Sequence, residues 1–335
     1  MSLTIPPLFS GGAILPANKP LCIFGTGEGE IQVTLGTTTA TATAKDGKWL
    51  ACLPPMPYGG PYELTVTDGK TLLRRTDVYL GEVYLVAGQS NMQFKVDESA
   101  LSETEYETDP LLRLYTVDRP EAGELFTSAD GWIESRAETV GKWTAIGYSL
   151  GKALRKKKGV AIGIIACYQG ASVIQSWLKK QACARPEFYV PDDEKFIDHR
   201  VKEYFWNAEG YLSEYMLDKL APYPLTRVVW YQGESNTSNA ESAIYDKLLI
   251  ALIKQLRTAH LDETLPVSVV QIADLTSRLN DPEYALAWRT LQAKQAEVAN
   301  TLENVKLIVS RDVCETDDIH PKTKKILAER IAKNI

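Results

Sequence analysis

From about residue 82 onward, short runs of apolar, β-branched residues alternate with segments whose apolar positions recur every three to four residues. The runs are 83–87, 160–166, 227–231, 266–272 and 305–310, and the helical period is carried by Ile146/Leu150/Leu154, by Ile244/Leu248/Leu252 and by Ala287 to Val298. Continuous apolar strands separated by amphipathic helices predict a parallel sheet covered on both faces. The segment 93–132 is acidic and loop-like, with one strand expected at 111–117; it is too long for a simple connection and is expected to edge the active-site rim.

Residues 1–80 follow a different rhythm. Short alternating runs at 21–24, 31–35, 37–44, 49–53 and 62–66 are separated by turn signals, of which Asp46-Gly47 and Asp68-Gly69 are strong hairpin dipeptides. This pattern predicts a small β-sandwich. The chain therefore divides into residues 1–80 and 81–335. No Gly/Ser-rich linker lies at the boundary, so the two parts are expected to pack closely.

The 335 residues carry a formal charge of −6, which argues against a nucleic-acid surface. No run of about 18 apolar residues is present to cross a bilayer. The one dense basic cluster, Arg155-Lys156-Lys157-Lys158, reads as a solvated helix end. Five scattered cysteines without metal-ligand spacing predict no disulfide framework and a reducing compartment, hence a cytoplasmic protein, and no signal peptide is visible. Three dispersed histidines, with no HExxH and no paired CxxC, point away from metal catalysis, and no phosphate cradle of the P-loop kind occurs. The expectation is an enzyme without cofactor or metal.

In open α/β sheets, ligands bind beyond the carboxyl ends of the strands. Four polar segments fall there: Gly88-Gln89-Ser90-Asn91-Met92, Cys167 to Ser172, Tyr231 to Asn236, and Asp317-Asp318-Ile319-His320-Pro321. Ser90 follows a buried strand and a glycine that permits a tight turn, so its hydroxyl can enter a cleft with its own N–H aimed at a developing oxyanion. His320 precedes Pro321, a favoured first helical residue, which puts the histidine at the mouth of the final helix. His199 and His260 read as surface residues. Asp317, three residues before His320, can reach the imidazole Nδ1 and leave Nε2 free for the serine proton. The competing reading is that Asp317 or Asp318 caps the helix.

The segments GQSNM (88–92), YQGESN (231–236) and DDIHP (317–321) resemble the sialate O-acetylesterase family of SGNH hydrolases, to which acetylxylan-esterase-like proteins are related. Lys19-Pro20, Asp46-Gly47-Lys48-Trp49 and Gly59-Gly60-Pro61-Tyr62 resemble that family's leading β domain, and Trp288-Arg289 with Gln292 resembles a further recurrent patch. The resemblance implies a three-layer α/β/α, flavodoxin-like SGNH sheet behind an N-terminal β-sandwich. It implies Ser90 as nucleophile, His320 as base and Asp317 as orienting acid. The N–H groups of Ser90 and Gly170 would form the oxyanion hole, assisted by the Gln232 amide. Glu234 is then a buried structural acid, and Arg289 either pairs with such an acid or contacts substrate.

Gln89, Asn91, Tyr168 and Trp177 join these as substrate contacts or structural supports, the two aromatics being able to offer a sugar an apolar face or simply to fill the core. Where the family often has Gly-Gly-Thr, this chain has Gln169-Gly170-Ala171-Ser172, and it is shorter than many relatives. The expected activity is removal of acetyl from sialic acid. Acetylated xylan or manno-oligosaccharide is the alternative substrate, and a catalytically inactive carbohydrate-binding protein is the alternative of another class. The expected partner is an O-acetylated sugar, with no nucleic acid and no membrane.

Overall fold

The computed structural model describes residues 2–121, 123–197 and 202–335. His199, with its neighbours Asp198 and Arg200, lies outside the described residues.

The N-terminal strands are β1 (Ile14–Pro16), β2 (Leu21–Thr26), β3 (Glu30–Leu35), β4 (Thr38–Thr43), β5 (Lys48–Leu53) and β6 (Gly59–Thr67). Period-2 patterning decides their faces: Ile31, Val33 and Leu35 of β3 and Trp49, Ala51 and Leu53 of β5 all turn into one core. The Asp46-Gly47 turn has positive φ at both residues, as a hairpin of this kind requires. At Asp68-Gly69 only the glycine does, and Asp68 Oδ1 instead accepts the N–H groups of Lys70 and Thr71.

The remaining strands are β7 (Leu72–Gly88), β8 (Asp109–Thr116), β9 (Trp132–Ser135), β10 (Ile162–Tyr168), β11 (Arg227–Tyr231), β12 (Val267–Val270) and β13 (Val305–Ile308). They lie in the order β13-β12-β11-β7-β10-β8-β9, parallel throughout except for β9 against β8. The strand expected at 111–117 is thus β8, next to the sheet edge. β7 is long enough to serve two roles. Its first half pairs antiparallel with β6, and its second half, from Glu82, is the central parallel strand. One strand, bulged at Asp77, therefore continues through residue 80.

Five helices matter for the site: α1 (Ser90–Gln93), α2 (Ala145–Lys158), α3 (Tyr245–Ala259), α4 (Pro282–Thr301) and α5 (Lys324–Lys333). Alternate residues of β7 enter different cores. Val83, Leu85 and Ala87 pack with α3 and α4, whereas Tyr84 and Val86 pack with α2 and α5. Each fully buried aliphatic side chain here contributes roughly 1.5–3 kcal/mol, which is why the parallel strands are apolar on both faces. The basic run closes α2, where Arg155 pairs with Asp109 and Lys158 with Glu82.

Two expectations are corrected. Cys22 and Cys52 form a disulfide, because antiparallel pairing of β2 with β5 sets them directly opposite one another across 30 residues of sequence; only Cys167, Cys183 and Cys314 are free. His260 is buried rather than exposed: the end of α3 turns inward, and its Nδ1–H donates to the Tyr223 carbonyl at 2.7 Å. Among the described residues, no helix is long and apolar enough to cross a membrane.

Candidate active site

β7 has β10 on one side and β11 on the other, so chain order reverses at this strand and leaves a crevice beyond its carboxyl end. The loops after β7, β10 and β11 and the loop before α5 all open there. Gly88 has φ +145°, and a Cβ on it would fall 2.0 Å from the Tyr231 carbonyl oxygen. Glycine is therefore required by the close passage of β11 as well as by the turn. Gln89 is buried, and its Oε1 accepts the N–H groups of Gly233 and Ser235 at 3.2 and 3.3 Å, which fastens the turn to the loop after β11.

Ser90 is the first residue of α1. Its Oγ lies 2.8 Å from Nε2 of His320, 230 residues away in sequence. The imidazole is half-buried and stacks on Phe94, with ring centroids 6.1 Å apart and planes inclined by 27°. Burial, and then the positive charge of Lys324, lower the His320 pKa; Asp318 and Glu98 oppose them. A neutral imidazole with a free Nε2 lone pair, in line with a serine hydroxyl, can accept that proton.

The expected acid is elsewhere. Asp317 is exposed and makes no hydrogen bond to the imidazole, whereas Asp318 Oδ1 accepts the backbone N–H of His320 at 2.8 Å. The reason is local: α5 begins at Lys324 rather than at Pro321, and His320 sits in an irregular turn pinned by the Ala100 N–H on the Lys322 carbonyl at 3.0 Å. A spacing of three residues on that turn directs Asp317 outward.

Ser90 and His320 open into a cleft of about 880 Å³, walled by Gln93, Phe94, Gly170, Tyr204 and Trp206 among others. A sequence model of the family described as carbohydrate esterase, sialic acid-specific acetylesterase, matches residues 80–335. The chain belongs to this family. It is 28% identical over 356 residues to sialate O-acetylesterase of Homo sapiens, covering 94% of this chain and 66% of that protein, so it spans just under two thirds of the human relative. It is 26% identical to the Rattus norvegicus sialate O-acetylesterase, covering 94% of this chain and 69% of that protein. In structure it is similar to XAC1771, a carbohydrate acetylesterase from Xanthomonas citri, with a TM-score of 0.84 at 28% identity, covering 98% of this chain and 73% of that one.

Other candidate residues of this acetylesterase-family chain do not all face the cleft. Gly170 does, and a Cβ on it would lie 3.8 Å from that of Ser90, but its N–H already donates to Gln93 Oε1 at 2.9 Å. Gln232 does not supply an oxyanion donor here. It is fully buried, and its amide donates to the Ser172 carbonyl and to Asn236 Oδ1, while Tyr245 caps its oxygen. Trp177 is a core residue, edge-on to Trp230, with Nε1 donating to Ser172 Oγ. Tyr168 is likewise buried, its hydroxyl accepting from Lys95 Nζ. Neither offers a sugar its face.

Arg289 pairs with Asp274, which Arg311 also holds, and none of the three lines the Ser90 cleft. Glu234 and Asn91 meet beneath the serine, with Asn91 Nδ2 donating to Glu234 Oε1 at 2.6 Å. Burial raises the Glu234 pKa. Sequence reading missed Gln93, Phe94 and Lys324. Gln93 was reachable, since three residues after Ser90 is one helical turn. Lys324 also left a trace, a cation in the first turn of a helix, where the macrodipole disfavours it.

Proposed function

We propose that this chain is a carbohydrate O-acetylesterase of SGNH type, with a three-layer α/β/α catalytic part, residues 81–335, behind an N-terminal β-sandwich, residues 1–80. In the first step Ser90 Oγ attacks the acetyl carbonyl carbon while His320 Nε2 takes its proton; the sugar oxygen leaves with that proton, and an acetyl-enzyme remains. In the second step water attacks the same carbon, gives its proton to His320, and acetate departs as Ser90 recovers its hydrogen. The N–H groups of Ser90 and Gly170 receive the oxyanion, Gly170 after Gln93 withdraws. The acid of the triad is Asp318 rather than Asp317, acting through the histidine loop. The observation that carries this reading is the 2.8 Å contact of His320 Nε2 with Ser90 Oγ at an open cleft.

General base action supplies about 10²–10⁴-fold, so Ser90→Ala and His320→Ala should each nearly abolish hydrolysis of p-nitrophenyl acetate. An organophosphate should label Ser90 in the wild type. Full activity in Ser90→Ala would overturn the mechanism. Silence in both assays would favour the non-catalytic carbohydrate-binding reading, against which the Ser90–His320 contact speaks.

The relatives' names support acetylated sialic acid as substrate. One observation favours a neutral sugar instead. Among the described residues the cleft is lined by Glu98, Glu121, Glu203, Glu234 and Asp318 against the single cation Lys322, and a sialate carboxylate calls for Arg or Lys. Arg136 pairs with Glu134, and Arg289 and Arg311 with Asp274. Acetate release from acetylated sialic acids, measured beside acetylated xylo- and manno-oligosaccharides, decides between the two.

A further inference from the structure

Lys324 opens α5 with its side chain wholly buried. Among the described residues no carboxylate lies within ion-pair distance of it. Its ammonium donates to Asn91 Oδ1 at 2.6 Å and otherwise meets the ring faces of Phe94, at 5.0 Å, and Tyr231, at 5.8 Å. On the other side of Asn91 lies a buried carboxyl group. Glu234 Oε1 accepts from Asn91 Nδ2, and among the described residues Glu234 Oε2 has no hydrogen-bond partner. The ammonium thus faces the oxygen end of the carboxamide and the carboxyl group its nitrogen end, both aligned with the amide dipole.

The remaining Asn91 proton goes to the Ile319 carbonyl at 2.9 Å. Asn91 directly follows Ser90, and Ile319 directly precedes His320. One carboxamide therefore stitches the nucleophile turn to the histidine loop, with a buried ionisable group at each end. Burying a lysine without a counter-ion, at a helix start that disfavours cations, is costly. Local rules broken in this way are expected where function is served.

We propose that Lys324 is a positioning residue of the active site: acting through Asn91, it holds the Ser90 turn against the His320 loop. The inference rests on the esterase reading of Ser90 and His320. The groups facing His320 are Lys324 from α5, Asp318 from its own loop and Glu98 from the segment after α1. Those facing Lys324 are Cys314, Glu315 and Asp318 from the loop leading into α5 and Glu234 from the loop after β11; burial pushes the ammonium down to about 8 despite them.

The test is the pH profile of p-nitrophenyl acetate hydrolysis by the whole chain, with Lys324→Met removing charge and donor and Lys324→Gln removing the charge but keeping a shorter N–H donor. Without the cation the imidazole holds its proton more tightly, so in both variants kcat/KM should fall about 10-fold more at pH 5.5 than at pH 7.5. Lys324→Met should also lose about 10-fold in kcat with KM nearly unchanged, and Lys324→Gln less. Lys324→Arg, which keeps the charge, should retain the wild-type acid limb. Variants that lose only melting temperature, with acid limb and kcat as in the wild type, would overturn the proposal. An inactive wild type would instead refute the esterase reading; the imidazole titration, followed by NMR in Ser90→Ala with and without Lys324→Gln, then decides the Lys324 claim alone.

Discussion

Gln93 Oε1 accepts the Gly170 N–H at 2.9 Å, beside Ser90. A side-chain carbonyl thus occupies a donor that an acyl oxygen would need. Gln93→Leu, which cannot accept, should keep kcat/KM within about 3-fold. Gln93→Glu places a negative charge where a second one develops and should cost roughly 10²-fold, comparable to losing one oxyanion donor. Steady-state kinetics on p-nitrophenyl acetate at pH 7.5 compares the two.

Asp318, not Asp317, meets the histidine loop. Asp317→Asn should therefore change kcat by no more than about 2-fold. Asp318→Asn keeps an acceptor for the His320 N–H but removes a charge that raises the histidine's pKa. Its acid limb should move to lower pH, and kcat should fall by about 10-fold as the imidazolium formed in the reaction loses a nearby anion. Activity is lost as pH falls through the pKa of the base, so pH–rate profiles of both variants give sign and size together.

His260 is buried as the neutral Nδ1–H form, and burial lowers its pKa to about 4. The unfolded chain has an ordinary histidine there and binds a proton first as pH falls. The group's contribution to stability is thus complete above about pH 6.5 and is lost between there and about pH 4, costing on the order of 3 kcal/mol. Urea denaturation at pH 7 and pH 4.5 should show the loss, and His260→Gln should reduce it.

The Cys22–Cys52 bridge closes a 30-residue separation. Chain-entropy reasoning gives such a loop about 2–4 kcal/mol. The double variant Cys22→Ser/Cys52→Ser should lose about that much in denaturation with kcat unaltered, since neither residue lies at the cleft.

The parallel sheet was readable because strands buried on both faces must be apolar at every position, as in Val83–Val86, and because helix-period residues such as Ile146, Leu150 and Leu154 mark one face of a cylinder. The meeting of Ser90 with His320 was readable because both segments fall at the carboxyl edge of the sheet. What escaped depends on side-chain direction across long sequence separations. Asp317 and Asp318 are adjacent and both exposed, and only the late start of α5 decides which of them meets the His320 N–H. Gln232 looked available until Ser172 and Asn236, from other elements or turns, were seen to consume both its protons. Cys22 and Cys52 carry no pairing signal until the β2–β5 register is known.

The length of β7 has a mechanical consequence. Because one strand, bulged at Asp77 where φ is +62°, runs from Leu72 to Gly88 and ends two residues before the serine, the N-terminal sheet and the nucleophile share a single rod of backbone. Removing the first 80 residues would cut that rod and leave its stump frayed.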